Sequence, residues 1–268
     1  MRNKRKVFAC SLLAGLFATG TASAVDVRVT VTNNAAAGGV YLTPVWTGFH
    51  DGAFDLFDIG GTASAGLESV AEVGMTATLS GEFAGAGIDG TLPGLIAPGA
   101  SASLVFSLSD DGSNDYLSFA SMVLPSSDFF IGNARPTAFS IEDVLDGLVG
   151  TRTFAVLDAF DAGTEANDFA TSAGNGLFPG LFPMPDTAGG AADPDPTIRL
   201  LGENPFESPF GDFANVGGFD VAPLDNSVLA GLPIAFIEVT AVPVPAALPL
   251  MLSALAGLGV LRRRQAAA

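Results

Sequence analysis

Val25, Val27, Val29 and Val31 alternate with Asp26, Arg28, Thr30 and Thr32, the period of two that places one face of a strand in a core and the other in water. The alternation recurs at Ala102, Leu104, Phe106 and Leu108, and less cleanly over 116–124, 151–157 and 234–239. Gly, Pro, Asp and Asn separate these runs, and strands punctuated in this way, without a long helical pattern, predict a mainly β sandwich or barrel with long loops. A helical spacing is confined to 63–73, where Leu67, Val70 and Ala71 share a face and Gly74 supplies the stop, so one short helix is expected. No repeat is visible, so a solenoid or propeller is not supported.

The two ends follow different rules. MRNKRK, the apolar run 7–17 and Thr21-Ala22-Ser23-Ala24 form the basic head, greasy middle and small-residue site of a secretory signal, with cleavage expected after Ala24. The run is shorter than the ~20 residues needed to span a bilayer, which favours a cleaved signal over an anchor. Cys10, the single cysteine, lies inside it, so the mature chain has no disulfide. At the other end, Val242-Pro243-Val244-Pro245-Ala246-Ala247 leads into an apolar stretch to Leu261 and then Arg262-Arg263-Arg264, which the positive-inside rule keeps in the cytoplasm. This tail is similar to PEP-CTERM sorting signals of Gram-negative bacteria, in the variant that begins VPLPA. The resemblance implies transient anchoring in the inner membrane and processing by an exosortase-type enzyme, with a plain single-span anchor as the alternative. The expected domains are 1–24 signal, 25–241 folded body and 242–268 sorting signal.

Charge sharpens the picture. The 268 residues carry 11 Lys and Arg against 28 Asp and Glu, a net charge of −17, but all 28 acids lie in the body, which keeps only Arg28, Arg135, Arg152 and Arg199 and no lysine. Such a body repels itself, recruits cations and makes a poor partner for nucleic acid. Between about 174 and 231 the composition shifts to Pro, Gly, Asp and Phe, a long loop or insertion that composition leaves open as ordered or disordered.

With one histidine, His50, and no mature cysteine, no zinc cluster can form, and a Ser-His-acid set would have to use His50, whose surroundings Trp46-Thr47-Gly48-Phe49-His50-Asp51-Gly52 hold no nucleophile elbow. A structural hydrogen-bonding role near a sheet edge is the expectation for His50. The lysine-free body has no phosphate-cradling loop. Hard-cation binding survives, because carboxylates brought together call for a cation with oxygen ligands. Asp161-Ala162-Gly163-Thr164-Glu165 sets two carboxylates around a glycine just after the strand predicted over 151–160, although on spacing alone an Asp-x-Gly turn with a solvated Glu is the commoner explanation. Asp110-Asp111-Gly112-Ser113-Asn114-Asp115 reads as a hairpin turn rather than a cation site. Phe129 and Phe130 read as core or loop anchors, with ligand contact as the alternative.

Ser121-Met122-Val123-Leu124-Pro125-Ser126-Ser127-Asp128-Phe129-Phe130-Ile131-Gly132 resembles the S-M-V-x-P-S-x-D-x-F-x-G signature of the spondin N-terminal domain, found in F-spondin and mindin. The DAGTE segment resembles that family's D-A-G-T-D. Trp46, Gly48 and His50 resemble its W-x-G-x-H segment, and Ala63-Ser64-Ala65-Gly66-Leu67 with Ala71-Glu72-x-Gly74 its A-S-x-G-L-x-x-x-A-E-x-G helix. The likeness runs from about Val27 to Thr171, with a last strand from 234–239. It implies a calcium-binding antiparallel β-sandwich whose metal ligands fall on Asp128, Asp161 and Glu165, with Glu165 where the family has Asp. It further implies a non-enzymatic domain of a bacterial type, secreted or held at the cell surface, that attaches to extracellular matrix or exopolysaccharide. The alternatives are a structural surface protein without a specific ligand and a secreted glycan hydrolase using paired carboxylates.

Overall fold

The computed structural model describes residues 24–35, 40–124, 126–166, 191–201 and 232–243; the signal, the sorting tail and most of the 174–231 stretch lie outside them. Two antiparallel sheets face each other, as the alternation predicts. The smaller has the order β5-β1-β11-β8, built from β1 (Ala24–Asn33), β5 (Ser101–Ser109), β8 (Thr151–Val156) and β11 (Ala235–Ala241). The larger has the order β10-β9-β7-β6-β3-β4, from β3 (Val45–His50), β4 (Gly87–Leu92), β6 (Tyr116–Leu124), β7 (Phe129–Gly132), β9 (Phe160–Asp161) and β10 (Arg199–Leu200), with β2 (Tyr41–Leu42) also pairing β6.

The valines of β1 do what their period demands: Val27, Val29 and Val31 are buried against Phe49, Phe119 and Ile131 of the facing sheet. β3 and β6 lack a clean polar alternation because the larger sheet is covered on both faces. Its second face packs Trp46, Ala120 and Phe130 against a helical layer. That layer holds α1 (Ala65–Val73) and α2 (Ala77–Phe83). α1 fits its sequence prediction, with Leu67, Val70 and Ala71 buried and Gly74 ending it at φ 66°. Its N-cap is shared between helices: Ser64 Oγ accepts from Leu67 N and donates to Glu82 Oε2, while Glu82 Oε1 accepts from Gly66 N at 2.7 Å. A side chain at Gly66 would run into Glu82 and Leu79, which explains the glycine of the A-S-x-G-L motif.

Three expectations are corrected in detail. Two further helices, α2 and the single turn α3 (Glu142–Leu145), accompany α1. The stretch 151–160 is not one strand: β8 ends at Val156 in the smaller sheet and β9 begins at Phe160 in the larger, so the chain crosses the sandwich in between. The acidic turn 110–115 forms as expected, with Asp111 Oδ1 accepting from Ser113 N and Oγ, but it connects β5 and β6 of different sheets and closes no hairpin.

Gly48 has no room for a side chain, since a Cβ there would lie 2.6 Å from the Trp46 indole and 3.0 Å from the Phe83 ring. Gly81, inside α2, faces open space. Gly48→Ala is therefore expected to lower unfolding stability by about 1–3 kcal/mol through overpacking. Gly81→Ala is expected to raise it by about 0.5–1 kcal/mol. Urea unfolding of both variants checks the contrast.

Candidate metal centre

At the β7 end of the larger sheet the chain makes a tight turn. Ser126 Oγ donates to Val123 O and accepts from Phe129 N, holding the turn so that Asp128 enters the interior. Asp128 is fully buried. Its Oδ2 accepts three bonds from the DAGTE loop, from Thr164 N at 2.8 Å, Thr164 Oγ1 at 3.2 Å and Glu165 N at 3.0 Å. Its Oδ1 and the adjacent Ser127 hydroxyl are buried without a hydrogen-bond partner among the described residues.

Asp161 lies opposite Phe129 in the β7–β9 register, and Ala162 N donates to Asp128 O, so the topology carries Asp161 and Glu165 to Asp128. Asp161 is 4% exposed and Glu165 3%. Asp161 Oδ1 accepts from Gly163 N at 2.8 Å and Oδ2 from Arg199 Nη2 at 2.7 Å. All three sequence-predicted ligands thus belong to one buried corner. Yet among the described residues no group of three or more His, Cys, Asp and Glu side chains converges on one point as a metal ion requires. The donor chemistry nonetheless suits a hard cation, because a carboxylate oxygen with no donor is costly in the interior and calcium takes oxygen ligands alone.

The corner also contains groups that motif spacing did not mark. Arg199 and Asp193 come from the 191–201 segment inside the Pro/Gly-rich stretch, and Arg199 Nη2 stands 2.8 Å from Asp193 Oδ2. The available signal was the scarcity of cations: Arg199 is one of four in the body. Glu72, from the A-E-x-G end of α1, faces the same loop; burial raises its pKa, opposed by its hydrogen bond to Thr164. Burial, reinforced by Asp161, pushes Asp128 up to about 7 in spite of the donors from Glu165 and Thr164.

The other candidates fall elsewhere. His50 ends β3, one strand inside the sheet edge formed by β4. It is buried, accepts from Gly52 N at Nδ1 and bonds Ser118 Oγ through Nε2 at 2.9 Å, and burial lowers its pKa against the pull of Asp51. Asn133 Nδ2 also reaches Ser118 Oγ, so His50 serves the structural network expected of it. Phe129 packs in the inter-sheet core and Phe130 against Phe57 and Phe160, which makes both core residues.

The family model described as Spondin_N matches residues 40–175, half of the chain. The chain belongs to the spondin N-terminal domain family. Spondin N-terminal domains are non-enzymatic and usually extracellular. The match covers Trp46, α1, Asp128 and the DAGTE loop, whereas β1, β10 and β11 lie outside it. Comparison with the curated proteins finds no match.

Because folding raises the Asp128 pKa, the native state holds a proton that the unfolded chain releases, so metal-free stability should fall as pH rises from about 4 to about 7. Asp128→Asn, which keeps an acceptor for the three donors, should flatten this slope. Urea unfolding in chelator at stepped pH compares the two proteins.

Proposed function

We propose that this spondin domain is exported and acts in attachment at the cell surface or in the extracellular matrix, stabilised by one calcium ion held by Asp128, Asp161 and Glu165. The observation that carries the reading is the buried Oδ1 of Asp128, which has no donor among the described residues while its partner oxygen has three. Bound calcium would supply the missing positive charge and draw the turn at Asp128 and the DAGTE loop together. The N-terminal signal and the family's extracellular habit support export. The proline motif, apolar stretch and Arg262-Arg263-Arg264 support transient anchoring in the inner membrane, followed by processing by an exosortase-type enzyme. Among the described residues no helix is long and apolar enough to cross a membrane, and the sorting tail lies outside them. Exopolysaccharide or a matrix polymer is the partner that this route of export favours, since sorting signals of this class accompany extracellular polymer production, and the body's strong negative charge disfavours nucleic acid.

Thermal unfolding with calcium, magnesium and chelator tests the metal. At 100 times Kd a native-state ligand adds about 2.7 kcal/mol, roughly 5–10 °C in Tm for a domain of this size. Calcium should produce such a shift in the wild type, magnesium a smaller one, and Asp128→Asn should lose it. A saturable binding curve on purified exopolysaccharide, weakened by chelator, is expected for attachment; a linear, non-saturating uptake would refute it.

A further inference from the structure

Asp161 is claimed by a cation that the protein itself supplies. Arg199 Nη2 lies 2.7 Å from Asp161 Oδ2 and 2.8 Å from Asp193 Oδ2, and Nη1 reaches Asp195 O at 2.9 Å and Asp195 Oδ2 at 3.3 Å. This guanidinium does not hang on a loose arm. The 191–201 segment is fastened around the acidic loop by a bond from Ala166 N to Ala191 O, by the Glu165–Ala192 bridge, and by paired bonds of Ile198 with Gly60 and Gly61. Gly163 is packed so closely against this segment that a Cβ there would lie 2.6 Å from Thr197 O. Arg199 and its whole segment lie beyond the part of the chain that matches the family.

We infer that Arg199 is a built-in counter-cation of the acidic corner, which competes with calcium for Asp161 and so sets the affinity of the site. The inference rests on the calcium reading above. A carboxylate oxygen that accepts from a guanidinium nitrogen at 2.7 Å has its charge already partly compensated, and a calcium ion entering beside it meets both a lost ligand and a like charge. The lack of three converging acidic side chains among the described residues fits an Asp161 committed to Arg199. Arg199 is thus a specificity-determining residue: a divalent ion of high charge can displace it, whereas a monovalent ion gains nothing over it.

The test uses the full chain, freed of metal with chelator, and reads calcium binding by calorimetry alongside Tm in chelator for wild type, Arg199→Lys and Arg199→Gln. Removing one unit charge next to the ion should tighten calcium by about tenfold or more in Arg199→Gln. Arg199→Lys, which keeps the charge but cannot span Asp161, Asp193 and Asp195 with two nitrogens, should fall between it and the wild type. Tm in chelator should drop in the reverse order, because the carboxylates lose their resident cation. Calcium bound by Arg199→Gln and not by wild type would also support competition. Equal or weaker calcium binding in both variants, with a normal wild type, would overturn the inference and leave the calcium reading standing. If neither wild type nor Arg199→Gln binds calcium, both readings fail together, and Arg199→Lys alone decides the order should Arg199→Gln not fold.

Discussion

The sandwich depends on a pairing between the two ends of the folded body. β1 and β11 run antiparallel from Val27↔Ala241 to Asn33↔Ala235 and form the middle of the smaller sheet, with β5 and β8 on their flanks. Without this pair, β5 and β8 would be isolated strands, and Phe49, Phe119 and Ile131 would have no apolar layer to face. An isolated strand is not stable in water, so closing this long-range ladder and burying the inter-sheet core are one event. The loop-closure entropy of so long-range a ladder is large, but it grows only slowly with the length of chain that the ladder closes.

The same closure explains how the acidic corner is built. Since β8 belongs to the smaller sheet and β9 to the larger, the chain must cross the sandwich between Val156 and Phe160, and it arrives at the outer end of the larger sheet beside β7. That arrival places Asp161 against the turn carrying Asp128. The helical layer then covers the sheet face next to it, with Glu72 at the end of α1. The W-x-G-x-H motif acts at the other end of the layer, where Trp46 lies across Gly48 and donates to Asp89 Oδ2 at 3.0 Å. One motif seats the helices on the sheet, and the other closes the loop that the helices shield.

Much of this was legible in the sequence where one face of an element is wet. Val25 to Thr32 and Ala102 to Leu108 alternate because the outer face of the smaller sheet meets solvent, and Leu67, Val70, Ala71 and Gly74 mark α1 because its far side is polar. β3 gave no alternation, since all six of its residues are buried. β4 lies at the sheet edge and has Gly87 and Gly90 among its six residues, and α2 and α3 are too short for a helical period to show. β10 has two residues, and its pairing with β9 is set by tertiary contact rather than by its own pattern. Asp128, Asp161 and Glu165 were reached through the family resemblance, because spacing alone could not tell a ligand pair from a turn. Arg199 was hidden by sequence distance from Asp161, and only the shortage of positive charge pointed to it.

That shortage is the physical logic of the corner. Burying a lone carboxylate costs several kcal/mol, and three hydrogen bonds offset this for one oxygen of Asp128 only. A body with 28 acids and four arginines has few cations to spend on the remainder. Arg152 is taken by Asp143 at 3.0 Å, and Arg199 divides itself between Asp161 and Asp193 without a bond to Asp128. Among the described residues the internal compensation is therefore incomplete at the most deeply buried acid. Substituting a hydrophobic residue would remove the cost more cheaply than an ion pair does, as buried pairs seldom repay their desolvation. Retaining the acids instead makes sense where a cation from the surroundings completes the set, because the fold can then gain stability from the medium that it cannot draw from its own side chains.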